Sequence, residues 1–280
     1  MKIAAIEMTT ACDPAVNMPI ISDGVRAAAA AGAQMVALPE TCVFMEKGSK
    51  AMRQRLTQEA DNPDLAALCQ LADELSIWLL IGSMVLADAD MPVNRSLLIG
   101  PDGQVAARYD KIHMFDVTLE NGETHRESAN YQAGEAAVLA SMGDVHLGLS
   151  ICYDVRFPNL YRRLAQAGAH LISVPSAFTQ QTGAAHWHIL LRARAIETGC
   201  YIIAPAQVGK HENGRHTYGH SLIIDPWGEI IAEAKQGDRF IMAQIDPAKC
   251  AAIRQQMPAL THGKRFRLPA SGATDDWSHD

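Results

Sequence analysis

The stretch LLIGPDGQVAA, residues 97–107, returns 125 residues later in altered form as LIIDPWGEIIA, residues 222–232. Each joins two apolar runs through a Pro-X-Gly turn. Proline presets the first turn angle and glycine tolerates the conformation that closes the turn, so each stretch reads as a β-hairpin. Outward from each hairpin the same order recurs. Before the first come the strand KIAAIEM (2–8), an Ala-rich helical stretch from Gly24 to Gly32, and the apolar run MVALPE (35–40). A helix, DLAALCQLADELS (64–76), and a strand, IWLLIGSMV (77–85), follow. Before the second come the strand HLISVPSAF (170–178), the helix AHWHILLRARAIE (185–197) and the strand CYIIAPAQV (200–208). MVALPE and LISVPS occupy matching positions, and the shared order predicts an internal duplication.

The layers follow from where the apolar residues sit. Leu65, Leu68, Leu71, Ala72 and Leu75 recur at helical spacing, which makes one covering face. Strands such as MVAL and YIIA are apolar on both faces and must be covered on both. Two sheets packed together with helices outside satisfy this, so the expected fold is α/β, a four-layer α-β-β-α sandwich with pseudo-two-fold duplication. No Ser/Gly/Pro-rich linker breaks the chain. The reading is one domain over residues 1–270 and a polar tail, SGATDDWSHD, over 271–280.

Composition narrows the function. The chain has 280 residues, a net charge of −7 and 48% hydrophobic residues, which argues for a folded protein without the basic footprint of a nucleic-acid binder. No apolar run nears the roughly 20 residues that span a bilayer. Glu7 interrupts the N-terminal apolar stretch, so no signal peptide is read there. The expected location is cytoplasmic, with no membrane partner. Six cysteines without CxxC pairs read as reduced thiols. His186 and His188 are two residues apart, which a helix aims at different faces, so no metal site is expected there.

The strand VHLGLSI (145–151) runs directly into Cys152, at the rim of a sheet. Helical N–H groups beyond it are expected to lower the thiol pKa. Glu40 follows the run MVALP, and Lys111 follows the strand QVAARYD. Open α/β sheets gather ligands beyond their strand ends, so the three side chains can share one pocket. A thiolate attacking an amide needs a base and a stabiliser for the oxyanion, and Glu, Lys and Cys fill those roles without histidine or metal. Spacing alone leaves the alternatives of an inert core thiol, a solvated loop acid and a surface cation.

The ordered motifs LPE (38–40), YDKIHMFD (109–116) and ICYDVRFP (151–158) resemble those of the nitrilase superfamily of carbon–nitrogen hydrolases. That resemblance spans nearly the whole chain and implies the same α-β-β-α fold. It implies that Cys152 is the nucleophile, Glu40 the general base and Lys111 the stabiliser of the tetrahedral intermediate. Glu127, in HRESANY, matches a second family glutamate that positions substrate and Lys111. The Tyr153 N–H completes the oxyanion hole. No cofactor and no metal are implied, and the partners are a small-molecule amide and a second copy of the chain in a homodimer or larger homo-oligomer.

The second half is most similar to the deaminated glutathione amidases of that superfamily. The implied substrate is a 2-oxoacid amide cleaved to 2-oxoglutarate and cysteinylglycine. The alternatives are an ω-amidase acting on 2-oxoglutaramate, a nitrilase, an N-carbamoyl hydrolase, or a non-catalytic scaffold. Arg126, Arg156, Arg192 and Arg194 are candidate partners for a substrate carboxylate, and Thr182, His186 and Trp187 candidate pocket residues. Trp187 reads equally well as core. Asp154 and Arg156 are expected to pair and fix the turn after Cys152. His188 and Ala133-Gly134 depart from the family pattern at positions expected near the pocket walls.

Overall fold

The first half begins with β1 (Lys2–Ile6), α1 (Pro14–Ala30), β2 (Met35–Ala37), α2 (Ser49–Arg55), α3 (Pro63–Leu75) and β3 (Trp78–Leu86). It ends in the hairpin of β4 (Val93–Ile99) and β5 (Val105–Asp110). A short hairpin, β6 (Asp116–Thr118) and β7 (Thr124–Arg126), follows. The second half runs β8 (Leu139–Met142), β9 (Val145–Gly148), α4 (Pro158–Gln166), β10 (Leu171–Ser173), α5 (Gln180–Thr198) and β11 (Tyr201–Ala204). A small hairpin of β12 (Val208–Lys210) and β13 (His216–Tyr218) precedes the larger one of β14 (Leu222–Ile224) and β15 (Ile230–Glu233). β16 (Phe240–Gln244) and α6 (Pro247–Gln256) come last. The structure, a computed structural model, describes residues 1–46, 48–119, 122, 124–264 and 266. The expected tail over 271–280 lies outside the described residues.

The strands form two six-stranded sheets in the orders β16-β1-β2-β3-β4-β5 and β8-β9-β10-β11-β14-β15. In each, three central strands are parallel and the hairpin adds two antiparallel ones. The register repeats as well, since Ile3 faces Met35 in the first sheet and Leu147 faces Leu171 in the second. The duplication expected from the hairpins is therefore present in five strands of each sheet. The sixth strands differ in origin. β8 reaches β9 through a tight turn, whereas β16 returns from beyond the second half to lie beside β1.

Alternation along β1 shows the layers. Ile3 and Ala5 join an apolar cluster with Leu147 and Ile223 of the second sheet, and the same cluster continues on that sheet's other face, where Ile172 lies, to Leu164 and Leu191 of α4 and α5. Ala4 and Ile6 turn the other way, to Ile21, Val25 and Leu68 of α1 and α3. Each fully buried Leu or Ile contributes about 1.5–3 kcal/mol of transfer free energy. The order is helix, sheet, sheet, helix.

Several boundaries differ from the sequence reading, among them the strands read over 145–151 and 200–208, which are Val145–Gly148 and Tyr201–Ala204. The Ala-rich helix begins at Pro14, ten residues early, because Asp13 caps it by accepting from Ala15 N–H and proline suits the first helical turn. Pro19 inside α1 masked that start. The strand expected over 170–178 is confined to Leu171–Ser173, ahead of Pro175. α5 starts at Gln180, where the Thr179 hydroxyl accepts from Thr182 N–H. Among the described residues no helix is long and apolar enough to cross a membrane.

Candidate active site

Strands β2, β5 and β9 end at a common rim, and the chain beyond them carries Glu40, Lys111 and Cys152 into one cavity of about 220 Å³. Glu127 lines it too. Lys111 Nζ donates to Glu40 Oε1 at 2.9 Å and to both oxygens of Glu127 at 2.9 and 2.8 Å. Glu40 Oε2 accepts from the Ala177 N–H at 2.9 Å, and Asn94 Nδ2 donates to Oε1 at 3.2 Å. The Phe115 N–H donates to Glu127 at 2.6 Å. The Cys152 thiol lines the same cavity and feels the charges of the Glu40 carboxylate and the Lys111 ammonium.

These contacts set the charges. Burial works against the Glu40 anion, but the Lys111 ammonium, together with Cys152 and Arg215, holds the carboxyl below its ordinary value. Burial also works against the Lys111 cation, and the carboxylates of Glu127 and Glu40 hold its pKa well above the usual range. Burial pushes the Cys152 thiol up, and the Glu40 carboxylate pushes it further. The expected lowering by helical N–H groups is therefore corrected. Cys152 opens only a short 3-10 turn, Cys152–Arg156, and its own N–H donates to the Pro175 carbonyl. At rest the arrangement is a thiol beside a carboxylate, the pairing that general-base activation requires.

The backbone is bent to hold it. Cys152 has φ +48° and Thr41, next to Glu40, has φ +50°, left-handed values that L-residues seldom adopt. Buried Asp154 clamps the first turn. Its Oδ2 accepts from the Ile151 N–H and the Tyr109 hydroxyl, and its Oδ1 accepts from the His113 N–H and faces His113 Nδ1. Asp154 thus fixes the turn as expected, but through Tyr109 and His113 and not through Arg156. Tyr109 and His113 flank Lys111, so one carboxylate ties the lysine motif to the cysteine turn. The Tyr153 N–H lies in the first turn of that 3-10 segment, where no intrahelical acceptor exists.

Of the remaining candidates, Tyr153 and Arg126 line the cavity. Arg156, Thr182, His186 and Trp187 are not among its lining residues. The Arg156 guanidinium lies over the Tyr153 and Phe178 rings, and its Nη2 is 3.3 Å from His186 Nδ1. Thr182 is buried, its hydroxyl bonded to that of Thr179. Trp187 is core, packed against Phe178, with its indole N–H donating to the His220 carbonyl. Arg192 donates to the Gly228 carbonyl and Arg194 to the Val155 carbonyl, both away from the cavity. His188 and Ala133-Gly134 do not form its wall either. Gly134 instead packs on the backbone of Asp110, beside Lys111.

Ala177, Asn94 and Arg215 are among the site residues that escaped the sequence reading. Ala177 holds Glu40 through a backbone group, which leaves no trace in side-chain chemistry. Asn94 is buried in β4 beside the polar residues Arg95 and Ser96, so the pattern of the strand did not single it out. Arg215, in the turn between β12 and β13, lines the cavity and donates to the Ala177 carbonyl at 3.0 Å. Its arrival depends on that hairpin folding over the site.

The family model of carbon-nitrogen hydrolases matches residues 2–255. A Synechocystis protein named deaminated glutathione amidase is 42% identical over 264 residues, covering 92% of this chain and 96% of that protein. A human protein of the same name is 37% identical over 93% of this chain and 81% of its own length. The structure of Saccharomyces cerevisiae Nit3, described as a member of branch 10 of the nitrilase superfamily, superposes with a TM-score of 0.85 at 29% identity, over 95% of this chain and 97% of that one. Fold, matched length and identity agree, and the chain belongs to the carbon–nitrogen hydrolase family, as a hydrolase of carbon–nitrogen bonds.

Proposed function

We propose that the chain hydrolyses deaminated glutathione to 2-oxoglutarate and cysteinylglycine through a thioester on Cys152. The observation that carries the catalytic part is the bonded chain Glu40–Lys111–Glu127 lining one cavity together with the Cys152 thiol. Glu40 takes the thiol proton as sulfur attacks the amide carbon. The oxyanion forms against Lys111 Nζ and the Tyr153 N–H. Glu40 then protonates the departing nitrogen, the amine leaves, and a thioester remains. Water, losing a proton to Glu40, attacks the thioester, releasing the acid and restoring the thiol. Glu127 keeps Lys111 charged and aimed.

The substrate assignment is supported by relatives named deaminated glutathione amidase at 37–42% identity. It is also supported by two guanidinium groups, Arg126 and Arg215, that line the same cavity. Deaminated glutathione carries a carboxylate at each end, and Arg binds carboxylates through paired N–H donors. The test compares hydrolysis of deaminated glutathione and 2-oxoglutaramate by wild type, Cys152→Ala and Arg215→Gln. Wild type should prefer the first, Cys152→Ala should be folded and inactive, and Arg215→Gln should raise KM with little change in kcat. Preference for 2-oxoglutaramate would replace the substrate with that of an ω-amidase, and turnover by Cys152→Ala would remove the mechanism.

The reading extends to a cytoplasmic homodimer. Six free thiols, the nucleophile among them, suit a reducing compartment. Ile189 and Ile196 on α5, with Trp227, Ile230 and Ile231 of the β14–β15 hairpin, are large exposed apolar side chains. A Cβ on Gly228 would meet Ile196, so helix and turn make one continuous face. A second copy of the chain is the partner we assign to it.

A further inference from the structure

Outside the catalytic cavity, three side chains converge where α5 meets the β14–β15 hairpin. His188 Nε2 and His220 Nδ1 lie 3.0 and 2.9 Å from the same oxygen, Glu233 Oε1. One donor atom from each residue falls within 4.8 Å of the others, the one such group among the described residues. None of the three lines the cavity. We propose that His188, His220 and Glu233 form a binding site for one divalent transition-metal cation of the zinc class, joining α5 to the hairpin.

Two imidazoles and a carboxylate are a donor set that zinc accepts, with a fourth position left for water. Tetrahedral bonds of roughly 2.0–2.2 Å put neighbouring donors about 3.3–3.5 Å apart. The separations from Glu233 are a few tenths of an ångström shorter, within the reach of small side-chain rotations. Without metal, both imidazoles turn an N–H toward Glu233. With metal, each would present a ring-nitrogen lone pair to the ion.

The surroundings fix the donors. The Tyr218 ring stacks on His220, with centroids 4.5 Å apart, and meets His188 edge-on at 6.0 Å. Such outer contacts orient ligating imidazoles. His220 is held at φ +57°, a backbone conformation that costs a histidine energy and persists where the surroundings enforce it. The Leu222–Glu233 pairing of the hairpin brings Glu233 near His220, while His188 comes from the helix. Helix, turn and strand each supply one donor, so an ion there would cross-link three elements.

The experiment is calorimetric titration of the metal-stripped full chain with Zn²⁺, in wild type, Cys152→Ala, His188→Gln and Glu233→Gln, with thermal unfolding of each in parallel. The catalytic thiol is itself a soft metal ligand, and the Cys152→Ala protein separates the two sites. The site predicts one equivalent bound to wild type and retained by Cys152→Ala. Affinity should fall at least tenfold in His188→Gln and Glu233→Gln, and Zn²⁺ should raise the Tm of wild type but not of those two. Binding that vanishes in Cys152→Ala, or persists unchanged in His188→Gln and Glu233→Gln, would overturn the proposal. So would failure of wild type to bind at millimolar Zn²⁺.

Discussion

Cys152 is a thiol at rest because burial and a neighbouring anion both disfavour its thiolate. In the proposed mechanism its reactivity comes from proton transfer to Glu40 at the moment of attack. The sign of each shift gives the pH dependence. Glu40 stays ionised below the ordinary glutamate pKa, the thiol stays protonated above the ordinary cysteine pKa, and Lys111 stays charged above its usual range. The profile of kcat/KM should therefore be flat from about pH 5 to 9, with both limbs belonging to the coupled cluster. An acid limb at about pH 6 or above would contradict the assigned protonation states. Lys111 also carries structural weight, since it lies between two carboxylates in a buried site. Lys111→Met should cost about 3–5 kcal/mol in urea unfolding, because the acids lose their shared cation. The same change should lower kcat by about 10²–10³-fold or more. Adding Glu127→Gln should recover part of the stability and none of the activity; full recovery of activity would show that Lys111 is only a counter-ion.

Elements deliver these residues through close backbone approach. Gly82 of β3 shows how little room there is. A Cβ there would sit 1.9 Å from the Leu38 carbonyl oxygen and 2.6 Å from both the Pro39 oxygen and Pro175 Cβ. Those segments lead to Glu40 on one side and to Ala177 on the other. Gly82→Ala should lower stability by about 1–3 kcal/mol, the usual range for overpacking. It should also lower kcat more than it raises KM, because Glu40 moves relative to Cys152. Unchanged Tm and kcat would show that the two sheets do not set the geometry there. The motifs at 109–116 and 151–158 were legible as sequence, but the bond that joins them was not. Asp154 was expected to meet Arg156, two residues away, and it meets Tyr109 and His113 instead. Local spacing favours near partners, whereas the fold brings the strand end of β5 over the cysteine turn.

At the scale of the whole molecule, light scattering tests the dimer. Wild type should have twice the monomer mass, and Trp227→Glu should shift it toward monomer by putting a charge into the apolar face. A monomeric wild type at micromolar concentration would remove the dimer from the reading. The sequence alone determined the duplicated order of elements, because hairpin turns and strands that are apolar on both faces are local properties that survive without knowledge of partners. It also singled out Glu40, Lys111, Cys152 and Glu127 through motifs that resemble those of a known family, and the four line one cavity. Tertiary structure decided what no local pattern encodes. It set β16 beside β1, brought Arg215 and Asn94 to the cavity, and turned Trp187 into the core and Arg156 onto aromatic rings. The physical reason is that a side chain's burial and charge state depend on which distant segments cover it, and those contacts join residues more than a hundred positions apart, as Ala177 and Glu40 do.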